Sequence, residues 1–75
     1  MTVTVETGKW AVYYTKDRAA TIELPEKSSV LDAIKALNIP PDEAGIAVKD
    51  GKAMSKEKVL SDGDKIKIHP VIIGG

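Results

Sequence analysis

The stretch Ser61-Asp62-Gly63-Asp64-Lys65-Ile66-Lys67-Ile68-His69 joins a tight turn to a strand with one buried face. Ser61, Asp62 and Asp64 are short polar residues that bond back to nearby backbone, and Gly63 admits the turn conformations other residues resist. After the turn, Ile66 and Ile68 alternate with Lys65, Lys67 and His69. A pleated strand therefore sends both isoleucines to a core and leaves His69 on the less buried face. The rest of the chain must supply the sheet beside this strand and the layer that covers it.

Downstream, the chain reads Pro70-Val71-Ile72-Ile73-Gly74-Gly75. Branched apolar residues stand where frayed polar ones are usual, and two glycines follow. With glycine at about 7% of average usage, a chance terminal pair has a probability of roughly 0.5%. Gly75 offers an acyl carbon with no Cβ beside it, open to attack and able to enter a narrow partner channel. We expect residues 1–69 to form the domain and residues 70–75 a flexible tail, in which Gly75 reacts and Gly74 gives access. Val71, Ile72 and Ile73 are expected to bind a partner, because an extended apolar segment can add to a partner's surface through backbone hydrogen bonds while its side chains fill pockets. The competing reading has Val71 and Ile72 finish the last strand over the core. Ile73 is harder to bury, and its exposure is costly unless a partner covers it.

Upstream, Ser55-Lys56-Glu57-Lys58-Val59-Leu60 reads as a short capped helical turn with Val59 and Leu60 tucked inward. Asp50-Gly51 is a two-residue hairpin turn between strands expected at 46–49 and 52–54. Pro41-Asp42-Glu43-Ala44 has proline at the first position of one further helical turn and acids near its positive end, with Gly45 stopping it. Before that, Val30, Ala33, Ile34 and Leu37 fall at helical spacing, Leu31 widens the stripe, and Asp32, Lys35 and Asn38 point away. Ser29 is placed to cap this helix, with Asp32 as its capping-box partner. The spacing predicts a helix over 30–38, ended by Pro40 and Pro41. Thr21-Ile22-Glu23-Leu24 alternates and stops at Pro25, and Val3 and Val5 alternate with Thr2, Thr4 and Glu6. These two strands should pair as a hairpin. The segment 7–18 between them has strand composition at Trp10-Ala11-Val12-Tyr13-Tyr14, and it fits either a first strand continued past a bulge or a broad loop resting on the sheet. Trp10, Tyr13 and Tyr14 are expected to pack on the core or sheet edge, because so small a domain needs bulky side chains to close its core.

Seventy-five residues make one domain near the lower limit for a single hydrophobic core. The 43% hydrophobic and 29% charged fractions are those of a soluble globular protein. Eleven Lys and Arg balance eleven Asp and Glu, so no global field gathers nucleic acid or an anionic membrane, and neither is expected as a partner. The absence of cysteine excludes disulfides, thiolate metal sites and a cysteine nucleophile. No signal-like start and no apolar run of ~18 residues is present, which leads us to expect a cytoplasmic protein. His69 is the one histidine, with no Ser, His, Asp arrangement or metal-ligand cluster around it in the sequence. Neither a catalytic residue nor a metal site is expected.

The order strand, strand, helix, strand, short strand, turn, strand calls for an α+β fold in which one helix covers one face of a mixed sheet of four to five strands. The natural closure sets the last strand beside the first, in the middle of the sheet. Ser28-Ser29-Val30-Leu31-Asp32-Ala33-Ile34, Ala47-Val48-Lys49-Asp50-Gly51-Lys52, Leu60-Ser61-Asp62-Gly63-Asp64-Lys65-Ile66 and Val71-Ile72-Ile73-Gly74-Gly75 together resemble the ubiquitin-like sulfur carriers of thiamin and molybdopterin biosynthesis, which are β-grasp proteins. The resemblance covers 21–75, while 8–18 matches poorly.

The resemblance implies a carrier and no enzyme. An E1-like activating enzyme would join the Gly75 carboxylate to AMP from ATP, and a persulfide sulfur donor would replace the adenylate to give a thiocarboxylate. No cofactor would be bound; the sulfur would travel covalently on Gly75. The recipient would be thiazole synthase or the large subunit of molybdopterin synthase. The tail and the short helix-to-strand connection look more like the thiamin carrier, and the longer N-terminal hairpin pulls towards the other. Lys56, Lys58, Lys65 and Lys67 read as a solvated face, with an acidic patch on the activating enzyme as the functional alternative. Two further readings stay open: a ubiquitin-class modifier joined through Gly75 to lysines, and a plain β-grasp interaction domain.

Overall fold

The alternation at the N-terminus becomes strand β1 (Thr2–Glu6), with Val3 and Val5 buried, in a computed structural model that describes residues 1–16 and 18–71. Strands β2 (Ala19–Glu23), β3 (Ala44–Lys49), β4 (Lys52–Met54) and β5 (Lys65–Pro70) complete one sheet in the order β2-β1-β5-β3-β4. β5 lies parallel to β1 and antiparallel to β3, so the alternating strand read first is the central one, beside the first strand as expected. Strands with a clean apolar face gain most from a place under the covering helix.

That helix is α1 (Val30–Ala36). The expected capping box is present: the Ser29 hydroxyl accepts from the Asp32 amide, and the Asp32 carboxylate accepts from the Ser29 amide at 2.8 Å. Val30, Ala33, Ile34 and Leu37 face Val3, Val5, Ala47, Ile66 and Ile68 in a single core. Burying a side chain such as Ile34 is worth about 1.5–3 kcal/mol. The helix stops two residues before the expected end at 38, and the prolines are not what stops it. Asn38 turns left-handed (φ 61), its amide donates to Lys35 O, and the Ile39 amide donates to Ile34 O. This Schellman closure satisfies the last carbonyls and folds Ile39 into the core. No helix among the described residues is long and apolar enough to cross a membrane.

Of the two readings of 7–18, the structure has the loop: Lys9–Ala11 is a 3-10 turn, and the amides of Ala11, Val12, Tyr14 and Thr15 donate to carbonyls within the same segment. Other local expectations are corrected. Ala11 enters the core, and Trp10 and Tyr14 pack against that core as expected, whereas Tyr13 is 90% exposed, contrary to the expected packing. Residues 41–44 make successive turns, with the Glu43 amide on Pro40 O and the Ala44 amide on Pro41 O, and Gly45 lies inside β3 where a stop was expected. Residues 55–60 do not form a helix: Ser55 to Lys58 make a single turn, closed by the Lys58 amide on Ser55 O at 3.2 Å, and further carbonyls of the segment serve α1. Lys58 O and Lys56 O accept from the Val30 and Leu31 amides at 3.0 and 2.9 Å, capping donors that α1 cannot satisfy itself. After the turn Val59 bridges Ser29, which leaves Val59 52% exposed and buries only Leu60. β2 begins at Ala19 and β5 runs through Pro70, each longer at that end than the alternation indicated. The Asp50-Gly51 turn forms as expected, with φ of 52 and 78.

Candidate functional site

β5 carries the chain across the middle of the sheet to Val71, the last described residue. What holds that point is backbone. Pro70 pairs with Ala44 and His69 with Ile46, so the register shifts at Gly45, which has no counterpart on β5. The Val71 amide donates to Glu43 O at 3.1 Å, one step beyond the ladder. A Cβ built on Gly45 would lie 2.7 Å from Pro70 O and 3.0 Å from Val71 N, so the two backbones approach as closely as they do because residue 45 is glycine.

The 9–14 segment braces the same place. The Tyr14 hydroxyl donates to the Glu43 carboxylate, and that bond, helped by partial burial, holds the tyrosine above its usual pKa. Trp10, Asp42, Glu43, Pro70 and Val71 line a shallow cleft of about 180 Å³ at the point where the chain leaves. Val71 is 42% exposed there, so it does not cover the core. Of the residues assigned to the tail, Ile72, Ile73, Gly74 and Gly75 lie outside the described residues.

At the opposite end of β5, ion pairs are added to the backbone bonds of the Thr4 amide to Asp64 O and the Gly63 amide to Thr2 O. Lys49 Nζ sits 2.8 Å from Asp64 Oδ1, and Lys65 Nζ sits 2.9 Å from Glu6 Oε1. The Lys49 hydrogen bond, joined by the Ser61 amide, holds Asp64 below the usual carboxylate range, and Lys65 does the same to Glu6. Asp62 reaches past its own turn to accept from the Thr2 amide at 2.7 Å. The lysines expected as a solvated face are thus partly committed: Lys65 pairs with Glu6, and Lys56 donates to Pro41 O at 2.8 Å. A wider open groove lies at this end between Lys49, Lys52, Met54, Lys58 and Asp64. His69 stands on the open sheet face opposite Ile46. Among the described residues, no group of three or more His, Asp or Glu is placed to hold a metal ion.

Glu43 and Gly45 were not assigned to the site from the sequence. A signal existed in Gly45, an isolated glycine leading directly into the apolar run Ile46-Ala47-Val48, which suggests a bulge or a close backbone approach more than a helix stop.

The profile of the family described as Mut7-C ubiquitin matches residues 11–73. No curated protein matches the sequence. Among solved structures, SAMP1 from Haloferax volcanii is similar with a TM-score of 0.74 at 14% identity, over 100% of both chains. A protein of Pyrococcus furiosus described as molybdopterin converting factor, subunit 1, gives 0.74 at 20% identity, over 96% of this chain and 99% of that one. The ubiquitin of Caldiarchaeum subterraneum gives 0.63 at 17%, over 100% and 98%. At such identities the likeness is one of fold, and it bears out the ubiquitin-like β-grasp architecture expected from the sequence.

Proposed function

We propose, from the premise that this chain belongs to the Mut7-C ubiquitin family, that it is a carrier activated at the carboxylate of Gly75 and charged there with sulfur. The observation that carries the reading is the delivery of the chain, by the central strand of a ubiquitin-like fold, to a root at Val71 held by backbone bonds only four residues before Gly75.

A carboxylate is a poor electrophile until it becomes a mixed anhydride. In the proposed reaction a Gly75 carboxylate oxygen attacks the α-phosphorus of ATP on an E1-like activating enzyme, and pyrophosphate leaves. The outer sulfur of a persulfide donor then attacks the acyl carbon and AMP leaves. A thiol cleaves the resulting sulfur–sulfur bond, taking the donor's sulfur into a disulfide and releasing the thiocarboxylate. The sulfur comes from outside, consistent with a chain that has no cysteine. The chain is a substrate in every step. Val71, Ile72 and Ile73 would be the segment a partner grips, with Gly74 giving access.

For the recipient we put thiazole synthase first, on the form of the tail, and the large subunit of molybdopterin synthase second, a choice supported by the likeness to the Pyrococcus protein. A second reading, a modifier joined through Gly75 to lysines, is favoured by the likeness to a Haloferax protein described as small archaeal modifier protein 1. Incubation with the E1-like enzyme of the same genome, ATP and a persulfide donor should raise the intact mass by one oxygen-to-sulfur exchange. An unchanged mass with each such enzyme would overturn the carrier reading, and isopeptide-linked adducts in extract without thiocarboxylate would favour the modifier. Deleting Gly74 and Gly75 should abolish charging; survival of function would leave a plain interaction domain.

A further inference from the structure

We infer that Gly45 is a positioning residue for the proposed activation: by lacking a side chain it lets β3 lie against Pro70 and Val71, and so sets the point from which the chain continues to Gly75. The inference rests on the carrier reading above.

Three observations converge on this point. A Cβ at position 45 would meet backbone atoms, Pro70 O at 2.7 Å, Pro70 C at 2.9 Å and Val71 N at 3.0 Å, so no rotamer change relieves the crowding. The register shift between Ala44 and Ile46 occurs at this residue, and a bulge beside a functional group re-aims the strand next to it. Beyond the ladder, Glu43 O takes the Val71 amide at 3.1 Å, while Tyr14 holds the Glu43 carboxylate from the other side. Residues 43–45 thus grip the root of the tail, and the otherwise unexplained 9–14 segment braces the grip.

The contact is not one the core demands. Gly45 is exposed, Pro70 is half-buried and Val71 is exposed, so little apolar area depends on it, and the core residues of β5, Ile66 and Ile68, lie further back. Its consequence lies at the far end of the tail. Held extended by an activating enzyme, four residues would reach at most about 14 Å, so a turn of about 10° at Val71 would displace their far end by about 2 Å. With the domain docked on an activating enzyme, that error falls on the reacting carboxylate, where a misplacement of about 1 Å can cost on the order of a hundredfold in rate.

The test uses the full chain, the E1-like enzyme of the same genome and ATP, with pyrophosphate release giving kcat and KM for the carrier. Gly45→Ala should lower kcat at least about tenfold and move KM less than about threefold, because the docking face stays in place. Its Val71 amide should exchange faster with solvent while Ile66 and Ile68 stay protected. Gly51→Ala is the matched control, since its positive φ of 78 makes alanine strained while its Cβ would meet nothing within 4 Å. That variant should lose stability and keep the wild-type kcat. An amide-to-ester replacement between Pro70 and Val71, made by chemical synthesis, adds no Cβ, removes the donor to Glu43 O while weakening Pro70 O as an acceptor, and should also lower kcat, even if Gly45→Ala does not fold. A wild-type kcat in Gly45→Ala or in the ester chain overturns the inference alone, as does an equal loss in Gly51→Ala. A wild-type chain that releases no pyrophosphate and gains no mass overturns the carrier reading, and this inference with it.

Discussion

The two ends of β5 are held differently. At the Lys65 end, side-chain bonds are added to the backbone ones: Lys49 pairs with Asp64, Lys65 with Glu6, and the Asp62 carboxylate accepts from the Thr2 amide, beside the Thr4 amide on Asp64 O and the Gly63 amide on Thr2 O. At the Val71 end they are between backbones, with Glu43 O on the Val71 amide and Gly45 pressed against Pro70. Charged pairs tolerate a shift of several tenths of an ångström and respond to pH and salt. A backbone contact at van der Waals limits tolerates neither a Cβ nor a shift, and it does not titrate. The start of the strand therefore carries a part of its hold that acid and salt can weaken, while the end where the proposed reaction needs a defined origin depends on a close backbone contact.

The largest test of this contrast strikes the middle of the strand, on which both ends depend. Ile68→Ala removes a fully buried side chain opposite Ala47 and should cost about 2–5 kcal/mol in urea unfolding. Amide exchange should then rise at both ends; a rise at one end alone would show that they are not held by a common core.

Acid separates the ends. Asp64 and Glu6 are held below their ordinary pKa, so each pair contributes stability above the unfolded value, roughly pH 4, and that contribution is lost as pH falls through the lower folded value. The urea midpoint should fall as pH drops below about 4, and Asp64→Asn combined with Glu6→Gln should flatten that fall. Protection of the Val71 amide, corrected for intrinsic exchange, should not follow the same curve. A parallel loss would break the contrast.

Tyr14→Phe is a smaller change at the rigid end. It removes the bond to the Glu43 carboxylate and leaves the Glu43 carbonyl in place, so it should loosen Val71 exchange less than Gly45→Ala does. A larger effect than that of Gly45→Ala would transfer the positioning role to the 9–14 segment. Least of all, Glu6→Gln at neutral pH and 0.15 M salt should lower the urea midpoint only slightly, because an exposed ion pair in screened solvent contributes little.

Much of the fold was legible because its signals are local. Ile66 and Ile68, Val3 and Val5, and the Val30, Ala33, Ile34, Leu37 stripe each state their buried face within a few residues, and Ser29 with Asp32 states the helix start. The candidate site was legible only as a destination: the tail residues could be pointed to, but its root could not. Trp10 to Tyr14 has strand composition and makes a loop, since its backbone donors are taken up within the segment while Ala11 drops into the core. Residues 55–60 have a helical cap signal and make a single turn that does not continue, while α1 takes the Lys56 and Lys58 carbonyls.

By itself, then, the sequence determined the core faces of β1, α1 and β5, where α1 begins, and that the last alternating strand belongs beside the first. Periodicity writes a buried face into the chain one residue at a time, so no distant partner is needed to read it. Only the tertiary structure decided that Gly45 lies against Pro70, that Glu43 holds Val71, and that Tyr14 holds Glu43. Those contacts join residues 25 or more positions apart, and hydrogen bonds between distant backbone groups leave no pattern in the side chains that carry them.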